Sequence, residues 1–123
     1  MIELTGRRVL VLEEDEPVAV LLAAILKGLG CEMVGPANRI DDAIRLTISE
    51  PIDAAILDVA IGGEVTFAVA DELINKGIPY AFVSGNKTPA NIQRYAPVSI
   101  VTKPYSAEHI RQVLSELIEG AKP

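Results

Sequence analysis

Apolar positions along this chain form short continuous runs separated by longer stretches of helical periodicity. Val9-Leu10-Val11-Leu12 is uninterrupted, as expected of a central strand covered on both faces. Pro17 suits the first turn of a helix running to about Leu29, and Gly28 and Gly30 mark its end. Glu32 to Val34 reads as a short second strand closed by Gly35-Pro36. Asn38 is placed to cap a helix whose core stripe is Ile40, Ala43, Ile44, Thr47 and Ile48, and Pro51 stops it. Ala54 to Leu57 is a third buried strand ending in Asp58.

Ile61-Gly62-Gly63-Glu64 reads as a loop, and Phe67, Val69, Ala70, Leu73 and Ile74 give the next helix its apolar face. Gly77 closes that helix and Pro79 opens a fourth strand, Tyr80 to Val83, followed by the turn chemistry of Ser84-Gly85-Asn86. Pro89 to Ala96 carries only a short, irregular helical signal. Ile100 to Thr102 is a fifth strand before Lys103-Pro104. The last helix starts at the capping residue Ser106 and shows Ile110, Val113, Leu114, Leu117 and Ile118 on one face, with Gly120 at its end. Five strands alternating with five helices, the fourth short, imply an α/β fold: a parallel sheet with helices on both sides. In such sheets ligands bind beyond the carboxyl ends of the strands.

Composition narrows the function classes. The 123 residues suit one domain, residues 1 to 123, with no output domain expected, and 50% of them are hydrophobic, enough for a core without staples. A formal net charge of −6 argues against nucleic acid and favours a cation or a cationic partner surface. The single cysteine, Cys31, excludes an intrachain disulfide and fits a buried thiol in a reducing compartment. No apolar run before Arg7-Arg8 resembles a signal peptide, and the uncharged stretch Pro17 to Leu26 is too short to cross a bilayer. A cytoplasmic protein with no membrane partner is expected.

Four polar features lie at carboxyl ends of these strands: Glu13-Glu14-Asp15-Glu16, Asp58, Ser84 and Lys103. Crowded carboxylates repel one another and become favourable around a hard cation such as Mg²⁺, which keeps some water and takes phosphate oxygens. A carboxylate beside such an ion can attack phosphorus and form an acyl phosphate, with ammonium and hydroxyl groups stabilising the transferred oxygens. Taken singly, each feature has an ordinary structural explanation. The acidic run can be a solvated helix start, Asp58 and Ser84 turn residues, and Lys103 a surface charge. Their conjunction at strand ends is what points to phosphoryl chemistry.

With those residues in view, the whole chain resembles the receiver domain of bacterial two-component response regulators. The resemblance implies a flavodoxin-like strand order 2-1-3-4-5. It matches Glu14 and Asp15 to the family's acidic metal-binding pair, Asp58 to the phosphorylated aspartate, Ser84 to the Ser/Thr that bonds the phosphoryl group, and Lys103 to the conserved lysine. Ala60 would give the metal its backbone carbonyl. Mg²⁺ as cofactor, and a sensor histidine kinase or histidine phosphotransfer protein as donor, follow from the same likeness; a homodimer stays open. A cis Lys103-Pro104 bond is common in the family. Ile61-Gly62-Gly63-Glu64 and Ile78 to Gly85 also resemble a group of single-domain receivers from alphaproteobacteria, from which Asn86-Lys87 departs. A second departure is Ile100, which stands where many receivers carry a switch Tyr or Phe.

The apolar surface Val18 to Leu26 of the first helix exceeds what one-sided packing on a sheet needs, which suggests docking of a phosphohistidine protein there. Ala60 cannot orient an attacking water, so slow self-dephosphorylation is expected. His109 reads as a solvated surface residue and Tyr105 as packing against the start of the last helix. Two other classes compete. A receiver-like interaction module that has abandoned phosphorylation would lose the polar set first. A flavin or nucleotide binder, or a small hydrolase, would need a phosphate cradle where this chain has Glu13-Glu14-Asp15-Glu16.

Overall fold

The computed structural model of the chain describes residues 3–84, 92, 99–103 and 105–120. Its elements in order are β1 (Arg8–Leu12), α1 (Glu16–Gly28), β2 (Glu32–Ala37), α2 (Ile40–Ser49), β3 (Ala54–Asp58), β4 (Ala60–Ile61), β5 (Glu64–Val65), α3 (Phe67–Lys76), β6 (Tyr80–Ser84), β7 (Ser99–Thr102) and α4 (Ala107–Gly120). The main sheet has the order β2-β1-β3-β6-β7 with every pair parallel. Counting only its own strands, this is the expected order 2-1-3-4-5, a doubly wound sheet of the flavodoxin-like type. Four helices are seen among the described residues; the short helix expected over Pro89 to Ala96 falls outside them, except for the buried Ile92.

Strand alternation divides the core in two. Val9, Val11, Ala54, Ile56, Ala81, Val83 and Val101 face α1 and α4, where Leu22, Leu26, Ile110 and Leu114 meet them. Leu10, Leu12, Leu57 and Phe82 face the other way, against Ala43 of α2 and Phe67, Val69 and Leu73 of α3. Each fully buried aliphatic side chain here contributes roughly 1.5–3 kcal/mol of transfer free energy. Central strands need apolar residues at consecutive positions because both faces are covered.

Several boundaries differ from the sequence expectation. The second strand does not stop at Val34 but runs to Ala37, with a register shift between Leu10 and Leu12. Gly35 enables it at φ +103, where an added Cβ would lie 2.7 Å from the Ala37 nitrogen. The Gly35–Pro36 peptide is cis, while Pro104 lies outside the described residues. Asn38 does not cap α2: Arg39 holds that position without a side-chain bond. The segment read as a loop is a two-strand hairpin, β4 with β5, turning through Gly62 and Gly63, both at positive φ. Glycine tolerates that turn geometry without steric cost. Two stripe residues also lie outside the core, Ile48 on α2 and Ile74 on α3, both more than half exposed.

Candidate active site

Following the strand alternation to the carboxyl end of each strand explains the site. Glu13, Asp58 and Lys103 each stand two residues beyond a core residue of the α1/α4 side, namely Val11, Ile56 and Val101. They therefore leave the carboxyl edge of the sheet toward the same side, from strands that are β1, β3 and the edge strand β7. The Lys103 ammonium bridges the two acids, 3.0 Å from Glu13 Oε1 and 3.1 Å from Asp58 Oδ1. Glu13 and Asp58 are nearly excluded from solvent, at 4% and 6% exposure, so this pair of charges interacts in a partly dry environment.

The electrostatics are unbalanced. Burial, then the hydrogen bond and charge of Glu13, push the Asp58 carboxyl up to about 7, against the opposing pull of Lys103. Lys103 itself is raised, because its two carboxylate partners outweigh burial. One ammonium thus serves two buried carboxyl groups, and once Asp58 is ionised the cluster carries an excess of negative charge that a further cation would relieve.

The resemblance matches Glu14 and Asp15 to the acidic metal-binding pair. In the structure the acid of this run that meets Lys103 is Glu13, whose Oε2 also accepts from the Asp15 amide at 3.0 Å. Asp15 is the N-cap of α1, with its carboxylate accepting from the Val18 amide at 3.5 Å. Glu14 turns toward the β4–β5 hairpin and accepts from the Gly62 amide at 3.0 Å. Glu13 is one of four consecutive acids, and the two-residue step from the core residue Val11 is the sequence signal that marks it as the one facing inward.

Glu13, Glu14, Asp15, Asp58, Val59, Ala60, Val83 and Lys103 line a cleft of about 290 Å³. Ser84 ends β6, buried, with its carbonyl accepting from the Lys103 amide at 3.0 Å. Beside the Lys103 ammonium, the cleft is lined by four carboxylates and a backbone segment at Ala60, and oxygen ligands of that kind suit a hard divalent cation. Among the described residues, no group of three or more Asp, Glu, His or Cys side chains stands ready to hold a metal ion. Glu14 and Asp15 are engaged with Gly62 and Val18, so gathering the donors requires those carboxylates to turn.

Tyr105 packs in the α1/α4 core, as expected, and its buried hydroxyl has no hydrogen-bond partner. Burial first, and then the charge of Glu13, push that phenol up to about 12. His109 is exposed on α4, and its amide donates to the Ser106 hydroxyl at 3.1 Å, so Ser106 caps that helix. Ile100 pairs with Phe82 in the sheet and is 43% exposed. Asn86 lies outside the described residues.

No protein-family model matches the sequence, and no curated protein matches it significantly. Solved structures do. The signal receiver domain of a modulated diguanylate cyclase from Desulfovibrio desulfuricans superposes with a TM-score of 0.85 at 21% identity, covering 94% of this chain and 96% of that one. SdrG from Sphingomonas melonis has a TM-score of 0.82 at 29% identity, covering 96% and 99%. The receiver domain of a sensor histidine kinase from Pseudomonas aeruginosa, with a TM-score of 0.76 at 16% identity over 94% and 99%, has a magnesium ion coordinated in its active site cleft.

Proposed function

Starting from the receiver-domain fold of this chain, we propose that it accepts a phosphoryl group on Asp58 from a phosphohistidine, as a single-domain response regulator. The observation that carries this reading is the buried Asp58 carboxyl, bonded to Lys103 and set beside Glu13 at the mouth of an oxygen-lined cleft. A carboxylate in that setting is oriented, partly desolvated and accompanied by a cation that can follow charge onto the transferred group.

In the proposed step an Asp58 oxygen forms a bond to phosphorus as the bond from phosphorus to the donor's imidazole nitrogen breaks. The electron pair leaves with that nitrogen, and an acyl phosphate remains on Asp58. Lys103 transfers its ammonium contact from the Asp58 carboxylate to a phosphoryl oxygen while Glu13 keeps it in place. Ser84 supplies a hydroxyl from the neighbouring strand end. Mg²⁺, held by Glu13 and Asp58 with Glu14 or Asp15 and the Ala60 carbonyl, would supply positive charge to the phosphoryl oxygens. The protein is then an acceptor that assists its own modification rather than an enzyme with an external substrate, and it signals by binding a partner or by passing the group on.

The donor would dock on α1. Val20 and Leu21 are 63% and 48% exposed on a helix that starts at the acidic loop, while Ala19, Leu22, Ile25 and Leu26 are buried beneath it. Incubation with a small acyl phosphate and Mg²⁺ tests the reading. Intact mass should rise by one phosphoryl group, and chelating the metal should prevent it. No mass change under conditions where the protein is folded favours a non-phosphorylated interaction module instead.

A further inference from the structure

Thr66 occupies the N-cap of α3, where a threonine hydroxyl ordinarily accepts from an amide of the first helical turn. Here it makes no such bond. The hydroxyl donates instead to the backbone carbonyl of Asp58, at 2.6 Å, from a residue with 0% exposure. The Thr66 amide donates to the Val59 carbonyl at 3.0 Å, and the Thr66 carbonyl accepts from the Val69 and Ala70 amides at 3.1 and 3.3 Å. A single residue, eight positions after Asp58, therefore ties the end of β3 to the first turn of α3 by both backbone and side chain. The helix forgoes a side-chain cap in that arrangement, which is a local cost without a local benefit.

The benefit lies at Asp58. The carboxylate is two bonds from its backbone, so the direction in which it leaves the strand depends on how firmly the peptide planes on either side are held. The plane before Asp58 belongs to the sheet, where Leu57 and Asp58 are in register with Phe82 and Val83. The plane after it carries the carbonyl that Thr66 holds, and its Val59 amide donates to the Val83 carbonyl at 3.0 Å. In-line attack on phosphorus is sensitive to such orientation, since misplacement of a reacting atom by about 1 Å can cost two orders of magnitude.

We propose that Thr66 is a positioning residue for phosphoryl transfer, its hydroxyl fixing the peptide of Asp58 so that the carboxylate points into the cleft. The inference rests on Asp58 being the phosphoacceptor. Its role is orientation of the nucleophile, so it acts on the maximal rate and leaves donor affinity alone.

The test compares wild type with Thr66→Val and Thr66→Ser, using acetyl phosphate and Mg²⁺ and following label by intact mass. Thr66→Val should lower the maximal labelling rate roughly five- to tenfold, the scale of one lost buried hydrogen bond, with the half-saturating acetyl phosphate concentration unchanged. Thr66→Ser, which keeps the hydroxyl, should restore the rate. Should Thr66→Val fail to fold, Thr66→Cys takes its place, because a thiol is a weaker donor of similar reach. An unchanged rate in the folded Val or Cys variant overturns the proposal, as does an effect confined to half-saturation or one that Thr66→Ser fails to repair. These results leave the Asp58 reading intact. Wild type that takes no label removes that reading, and this inference with it.

Discussion

At the scale of residues, the site is a charge imbalance held in place by neighbours. The unfolded carboxyl of Asp58 titrates near 3.8 and the folded one near 7, so the folded state binds more protons across that interval. Stability of the metal-free protein should therefore fall as pH rises from 3.8 through about 7. Asp58→Asn removes the buried charge. In chelator it should be more stable than wild type by about 1–2 kcal/mol at pH 8, with the gap closing by pH 5, as read from thermal melts. Lys103→Met should act in the opposite direction. It leaves Glu13 and Asp58 without their shared cation, a loss of about 1–3 kcal/mol at pH 8 that shrinks as one carboxyl is protonated. Ala60 carries no group to orient water, so Ala60→Asn should shorten the lifetime of the phosphorylated protein several-fold; an unchanged decay of label counts against that role. Asp58 and Lys103 were legible in the sequence because apolar runs locate strand ends. Glu13 is marked out from its three acidic neighbours only when the alternation of β1 is carried two residues past Val11. Thr66 gave no signal at all: a Thr before a helical pattern looks like an ordinary cap until its hydroxyl is seen on the Asp58 carbonyl.

Among elements, α1 makes the clearest claim. Its buried face is Ala19, Leu22, Ile25 and Leu26, and its outward apolar residues, Val20 and Leu21, contribute little to the core. Val20→Glu and Leu21→Glu should change stability by no more than about 0.5 kcal/mol, as for surface positions generally. Both should slow transfer from a phosphohistidine protein while leaving labelling by acetyl phosphate unchanged. Equal slowing with both donors contradicts docking on this helix. The five strands of the main sheet were legible to within a few residues, because runs such as Val9 to Leu12 and Ala54 to Leu57 have no other use in a small domain. Helix faces were read less well. Ile48 and Ile74 fit the apolar spacing of α2 and α3 yet are exposed, since those helices are narrow contacts on one side of the sheet and the period continues past the buried arc. The β4–β5 hairpin escaped because two residues per strand give no alternation to detect.

For the whole molecule, two cores on either face of one parallel sheet leave its carboxyl edge as the place where polar groups can gather without interrupting packing. A net charge of −6 adds a general attraction for cations to the specific excess at Glu13 and Asp58. Mg²⁺ binding to the folded state should accordingly raise the melting temperature, by about 2.7 kcal/mol of stabilisation at a hundredfold excess over Kd, and Asp58→Asn should reduce that gain. No helix among the described residues is long and apolar enough to cross a membrane. The central claim is that Asp58 itself becomes an acyl phosphate, and reduction with borohydride reads that directly. Protein labelled with acetyl phosphate and Mg²⁺, reduced and digested, should yield homoserine at position 58 and nowhere else. Recovery of unmodified aspartate there alongside a labelled residue elsewhere contradicts the account.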